Sequence, residues 1–405
     1  MELIPYTLLV LALGAAWLAG YRSCFRRTQG LQRHQEQDYF IGLNYLLNDE
    51  PDDAIDIFIA ELEQNSDMLE THLALCTLLR RRGKVDRAIA HAEQLLNGAD
   101  FSPVACSEIK LNLVRSHIAA GLLDRAEQLL VELKRSAAPT QRASALELAY
   151  TVYQMERDWV QALDAITELR RLAPRERRAE LELQCSHYHC ELAEMALAQR
   201  DEARAREQLR KAREVSRDNV RSYLLLARVE ESCGAWHEAA TALRQVAEHD
   251  PALAGEAMLP LLRVLRQSGR LHERDALLAE ALDSHPPVRD LSDLMQLLRE
   301  QQGGEALLRL LDRHLHDQPS LALLAEMLAL LGDRDAPQAA MLEQGALVLR
   351  QYLQHAPQYR CENCGLELRN LHWQCPSCSR WGLVKPLDSK LLQQVVPEPR
   401  HTHSA

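Results

Sequence analysis

The sequence has 405 residues, is 47% apolar but only 5% aromatic, and carries a formal charge of −11. Its wealth of Leu, Ala, Glu and Arg favours helix over strand, so an all-α fold is expected. The acidic balance excludes a generic nucleic-acid binder, whose affinity rests on basic groups that neutralise phosphates.

The chain opens on an uncharged run, Leu3 to Tyr21. Nineteen helical residues rising about 1.5 Å each span roughly 28 Å, close to the thickness of a bilayer core. Pro5 falls in the first turn, where a missing N–H costs little. Tyr6, Trp17 and Tyr21 lie near the ends, where amphipathic rings favour the interface. A cleaved secretory signal is the competing reading, but it calls for a basic stretch before the apolar core, and only Met1 and Glu2 precede this one. Arg22, Arg26, Arg27 and Arg33 come after it, an asymmetry that retains the following chain on the cytoplasmic side. Residues 1–22 therefore read as a single-pass transmembrane anchor. Cysteine usage agrees: Cys76, Cys106, Cys185, Cys190 and Cys233 sit in Leu/Ala-rich helical patterns, where a free thiol is a small buried hydrophobe suited to a reducing compartment.

Residues 23–355 read as a solenoid of about eight or nine helical hairpins. Ala54 and Ala88 are 34 apart, as are Ala205 and Ala239, and glycines that end first helices recur at Gly83, Gly121, Gly234, Gly269 and Gly303. Other turns fall near Asp49, Asp158 and Arg200. A period near 34 resembles the tetratricopeptide repeat. Gly42, Tyr45, Ala54 and Phe58 fit its frame in one copy, and Ala227, Gly234, Ala239, Leu243 and Pro251 in another. Small residues are expected where paired helices cross closely, and Pro174, Pro251, Pro286 and Pro319 are expected to stop second helices. The frame is loose elsewhere: Arg274 stands at an alanine position, and spacings stretch to 38 residues between 88 and 126 and 43 between 162 and 205. Such units stack into a superhelix whose concave surface binds proteins. The cluster Arg170, Arg171, Arg175, Arg177 and Arg178 is interleaved with glutamates and reads as solvated surface, with an acidic partner as the other reading.

The stretch CSHYHC, residues 185–190, carries metal-ligand types, and Cys185 with His189 would share a helix face. It lies inside a helical pattern that turns the other two away, so repeat packing is the expectation. The sequence has no phosphate-cradling glycine loop, no zincin helix and no nucleophile elbow. A catalytic role is not expected.

Near the end, Cys361-x-x-Cys364, ten residues, then Cys375-x-x-Cys378 gives two sulfur pairs on two tight turns. Four thiolates satisfy one tetrahedral metal; the alternative is two disulfides or unrelated thiols. Gly365 and Pro376 suit knuckle turns that aim N–H groups at sulfur. Four protein ligands leave no open position, so zinc here would be structural, whereas iron would make a one-electron carrier. Zinc or iron stays open. So small a module, residues 356–387, cannot bury enough surface alone, so metal binding would supply folding energy. Trp373 and Trp381 are expected to pack it on the last repeat helix, about residues 336–355, as a cap. The remaining residues, 388–405, read as a disordered tail.

An anchor, tetratricopeptide repeats and then YRCENCG and QCPSC, in that order, resemble the bacterial lipopolysaccharide assembly protein B family (LapB, also YciM) over nearly the whole chain. The resemblance implies a rubredoxin-like module with Cys361, Cys364, Cys375 and Cys378 as metal ligands, and Leu3 to Tyr21 as an inner-membrane helix. It implies an adaptor that restrains lipopolysaccharide synthesis by promoting degradation of the deacetylase LpxC through the membrane protease FtsH, and that helps organise assembly proteins at the inner membrane. Two other readings belong to different classes: an electron carrier, which needs iron, and an assembly scaffold with another client, on the periplasmic side if the anchor runs the other way.

Overall fold

The computed structural model describes residues 69–98, 101–136, 138–281, 287–317, 320–333 and 337–387. The expected anchor (1–22), the repeat copy built on Gly42 to Phe58, Pro286, Pro319 and the tail (388–405) lie outside the described residues. Among the described residues no helix is long and apolar enough to cross a membrane.

The chain divides into two compact units, one ending at Ala173 and one starting at Pro174. The first contains α1 (Leu69–Arg81), α2 (Val85–Gly98), α3 (Pro103–Ala119), α4 (Leu123–Ser136), α5 (Pro139–Glu156) and α6 (Trp159–Leu172). The second contains α7 (Arg175–Ala198), α8 (Glu202–Val215), α9 (Val220–Ser232), α10 (Trp236–His249), a 3-10 turn (Pro251–Leu253), α11 (Ala254–Gln267), α12 (Leu271–Glu280), α13 (Val288–Gln302), α14 (Gly304–Asp317), α15 (Leu321–Gly332) and α16 (Ala339–His355). These helices pair into eight hairpins among the described residues, in a tetratricopeptide-like array. A three-stranded sheet follows: β1 (Tyr359–Cys361), β2 (Glu367–Leu368) and β3 (Val384–Pro386), with β1 in the centre.

The turn that closes a first helix is commonly made by one residue with positive φ. Gly83, Gly121, Gly234, Gly269 and Gly303 supply it with φ of 72–80°. Their role is conformational rather than steric, because a Cβ at any of them would meet nothing within 4 Å. Arg157 and Arg200 take the same position with φ of 58° between α5 and α6 and between α7 and α8, where the sequence offers no glycine. The close approach falls to alanine instead: Ala88, Ala162, Ala205 and Ala239, each early in a second helix, are fully buried. The stretched spacings have a simple origin. First helices lengthen from 13 residues in α1 to 17, 18 and 24 in α3, α5 and α7.

Hairpins of the second unit are tied by ion pairs between consecutive hairpins or within one. The Arg206 guanidinium grips Glu230 through two bonds of 2.8 Å, and Arg350 grips Glu326 at 3.1 and 2.7 Å. Cys76, Cys185 and Cys190 are buried as expected, whereas Cys233 is exposed and Cys106 only half-buried. Cys233 follows the end of α9, so it leaves the packed face that its neighbours share. Arg171, Arg175 and Arg178 are exposed, consistent with a solvated surface.

Ala239 sits in the core shared by Val220, Tyr223, Ala227 and Leu243. Overpacking such a site costs about 1–3 kcal/mol. Ala239→Leu should therefore lower the urea midpoint of unfolding, and an unchanged midpoint would contradict the packing described.

Candidate metal centre and its docking surface

The knuckles are built by the sheet. The pairing of β1 with β3 sets Cys361 opposite Val384, and the Cys361 N–H donates to Leu366 O at 2.9 Å, closing the first turn. The Gly365 N–H then donates back to Cys361 O at 2.9 Å. The second knuckle repeats this pattern: the Ser379 N–H donates to Cys375 O at 2.9 Å, and the Cys375 N–H donates to Arg380 O at 2.8 Å. In each knuckle the residue after the second cysteine is left-handed, Gly365 at φ 75° and Ser379 at φ 56°. The sequence signals the first through its glycine and hides the second behind a serine.

The two turns bring together the four cysteines singled out by spacing. Sulfur Sγ of Cys361 lies 3.7 Å from that of Cys378, and Cys364 lies 3.6 Å from Cys375. All four sulfurs fall within 4.8 Å of one another, and none is in a disulfide. A tetrahedron of thiolates with metal–sulfur bonds of 2.3 Å has edges of about 3.8 Å, so the donor set and spacing fit one metal ion of the zinc or iron type. Burial pushes the Cys378 thiol up, but the Arg380 N–H and the Asn363 side chain oppose it and hold it down at about 6. A thiol so placed is ready to ligate. Cys361 and Cys375 are buried while Cys364 is exposed, so one side of the site faces solvent. Among the described residues no other cluster of three or more metal-ligating groups occurs, and CSHYHC is not one.

The module does not sit on the last repeat helix, which corrects the expectation that Trp373 and Trp381 pack it there as a cap. It folds back onto first helices from the middle of the array. Trp381 stacks on the His187 ring of α7 with centroids 5.1 Å apart and meets Tyr188 edge-on at 5.9 Å. The Arg221 guanidinium of α9 lies 5.7 Å from the Trp381 ring centre. Leu371 and Trp373 pack against the core of α9, α10 and α11. On the third side the Tyr359 hydroxyl donates to Glu256 Oε1 at 2.5 Å, and Lys385 pairs with Asp250. Gly382 is required twice over: its φ is +70°, and a Cβ there would come within 3.1 Å of His187 Nε2 and 3.4 Å of Leu183.

CSHYHC is thus the docking helix. Cys185, Ser186, His187, Tyr188 and Cys190 are all buried, whereas His189 turns outward and bonds Gln208 at 2.9 Å. Beneath the module Arg221 is 3% exposed, and its Nη2 bonds Glu191 at 2.8 Å and Glu194 at 3.0 Å. Sequence reasoning missed His187, Arg221, Glu256 and Asp250 as module contacts. The one signal available was the run of mixed polar and apolar residues in the CSHYHC segment, which no ordinary amphipathic helix buries on every side.

A serial array of helical hairpins with a rubredoxin-like four-cysteine module folded onto it defines a repeat scaffold carrying one metal-type knuckle. Residues 359–386 match the family described as "Rubredoxin metal binding domain". The chain is similar to lipopolysaccharide assembly protein B of Escherichia coli (strain K12), 29% identical over 392 residues that cover 96% of this chain and 98% of that protein. It is similar to the protein of the same name from Haemophilus influenzae, also 29% identical, over 95% of this chain and 98% of the relative. The likeness to the lipopolysaccharide assembly protein B family therefore runs over nearly the whole chain.

His187 supplies a pH test of the docking. Its burial, aided by the Arg221 and Lys385 charges, holds its pKa well below the usual imidazole value. Once exposed, it takes up a proton near pH 6.5, so below that pH the unfolded state binds more protons and the docked state loses stability. His187→Leu removes this contribution. The unfolding midpoint of the variant relative to the native chain should rise as pH falls from about 7.5 to about 5.5; a constant difference would contradict the buried neutral imidazole.

Proposed function

We propose that this chain is a non-catalytic, membrane-tethered adaptor of lipopolysaccharide assembly, which presents the deacetylase LpxC to the membrane protease FtsH. The observation that carries this reading is the likeness to lipopolysaccharide assembly protein B, which covers nearly the whole chain rather than the repeats alone. Cys361, Cys364, Cys375 and Cys378 would hold one metal ion, whose chemistry here is to fold the module. No residue is asked to carry out a reaction.

Physical chemistry supports the arrangement. The uncharged Leu3–Tyr21 segment followed by Arg22, Arg26 and Arg27 suits a single-pass helix in the bacterial inner membrane with the repeats on the cytoplasmic side. Tethering confines client and protease to one surface and raises their effective concentration without tight individual contacts. The docked module replaces a bare stretch of first helices with a composite face of sheet and helix, and that face is where a client would read both parts at once.

The test is the half-life of LpxC in cells depleted of this protein and then supplied with variants. LpxC should become long-lived on depletion. The intact chain should restore turnover, whereas Cys361→Ser/Cys364→Ser and a chain lacking residues 1–21 should not. Unchanged LpxC turnover on depletion would refute the proposed client, and full restoration by a demonstrably metal-free variant would refute the role of the knuckle.

A further inference from the structure

Arginines that cross between helices of the array meet carboxylates in several places. Arg142 of α5 pairs with Glu168 of α6, and Arg206 of α8 pairs with Glu230 of α9. Arg80, near the end of α1, is held differently. Its guanidinium crosses to α3, the first helix of the next hairpin, and donates to Asn112 Oδ1 at 3.0 Å and Ser116 Oγ at 3.3 Å. Its Nη2 also reaches Thr77 Oγ1 at 3.4 Å. All three acceptors are neutral, and among the described residues no carboxylate pairs with Arg80.

Each acceptor is fixed by a bond of its own. The Asn112 amide donates to Leu73 O at 3.4 Å, the Thr77 hydroxyl donates to Leu73 O at 2.9 Å, and the Ser116 hydroxyl donates to Asn112 O at 3.1 Å. Asn112 and Ser116 are buried, so the oxygens that hold the guanidinium have little freedom. Arg115 stands three residues after Asn112, beside that face of α3, and its side chain makes no hydrogen bond or ion pair among the described residues. Burial pushes the Arg80 pKa down, and the Arg115 and Arg81 charges add to the effect. A paired arginine shows the opposite, since hydrogen bonding to Glu230 holds Arg206 up.

We propose that the α1–α3 seam is an anion site that takes a carboxylate from an acidic segment of a partner protein, with Arg80 as the donor and Arg81 and Arg115 adding their charge. The three inward bonds use at most three of the five guanidinium N–H groups, so at least two remain to donate. A half-buried charge without a counter-charge is costly, and an incoming anion removes that cost without first having to order the side chain. Charge and shape select the occupant. The chain as a whole carries −11, which repels a dense polyanion or an anionic lipid surface. A carboxylate on a short segment meets only the local basic field, and its two oxygens match the parallel N–H groups of a guanidinium. Repeat arrays present an extended surface to such segments. The inference goes beyond the adaptor reading and holds whatever the client is.

The test is fluorescence anisotropy of fluorescein-labelled hexaglutamate, a short peptide of carboxylates, with the full chain in a non-ionic detergent at low salt. Binding should saturate and weaken as salt is raised. Arg80→Gln should weaken it roughly tenfold, and Arg115→Gln about threefold. Arg210→Gln removes the same charge from an exposed arginine of α8 and should leave binding unchanged. Arg115 makes no bond that the fold needs, so its variant keeps the test decisive should Arg80→Gln unfold. Absence of binding, an equal loss in all three variants, or Arg80-dependent capture of phosphatidylglycerol vesicles in place of the peptide would overturn the inference.

Discussion

Trp381 lies flat on His187, edge-on to Tyr188 and against Arg221, and this one contact joins the two halves of the design. A helical hairpin cannot bury its own apolar face, and a knuckle of about thirty residues cannot bury enough surface to fold alone. Each needs a partner, and here each partly serves the other. Aromatic contacts of this kind contribute about 0.5–1.5 kcal/mol beyond their buried area. The Tyr359 to Glu256 bond and the Lys385 pair with Asp250 fix the orientation in which that area is buried.

The docking residues are arranged around the sulfurs. Tyr359 stands two residues before Cys361, Trp373 two before Cys375, and Trp381 three after Cys378. Each knuckle therefore carries, on its own turn, the side chain that grips the repeats. Ordering the turns orders the grip, so metal binding at four thiolates would become one cooperative event with packing at α7, α9 and α11. Folding energy supplied by a metal would thereby be spread into helices that contribute no ligand.

Much of this was legible in the sequence, and the reasons are local. Two Cys-x-x-Cys turns announce their chemistry through spacing alone, and glycines at the hairpin turns announce a left-handed residue. Arg157, Arg200 and Ser379 show the limit of that code, because they hold the same conformation with a side chain that normally avoids it. The docking site was not legible. Tyr359 and Glu256 are 103 residues apart, Lys385 and Asp250 are 135 apart, and no period links them. Segment 185–190 carried metal-ligand types that the sequence could assign only to repeat packing; its His187 and Tyr188 in fact meet Trp381 of a module nearly two hundred residues away. The module was expected on the last helix, and it folds back instead to where His187 and Tyr188 of α7 and Arg221 of α9 receive Trp381.

The central claim is that a metal-folded knuckle holds the middle repeats. Amide hydrogen exchange over residues 183–190 and 220–226, measured on the metal-loaded protein and again after chelation, tests it most directly. The account predicts a marked loss of protection in both segments on metal removal, and the same loss in a metal-loaded Trp381→Ala chain. Protection that survives chelation unchanged would contradict it, showing that the repeats stand without the module.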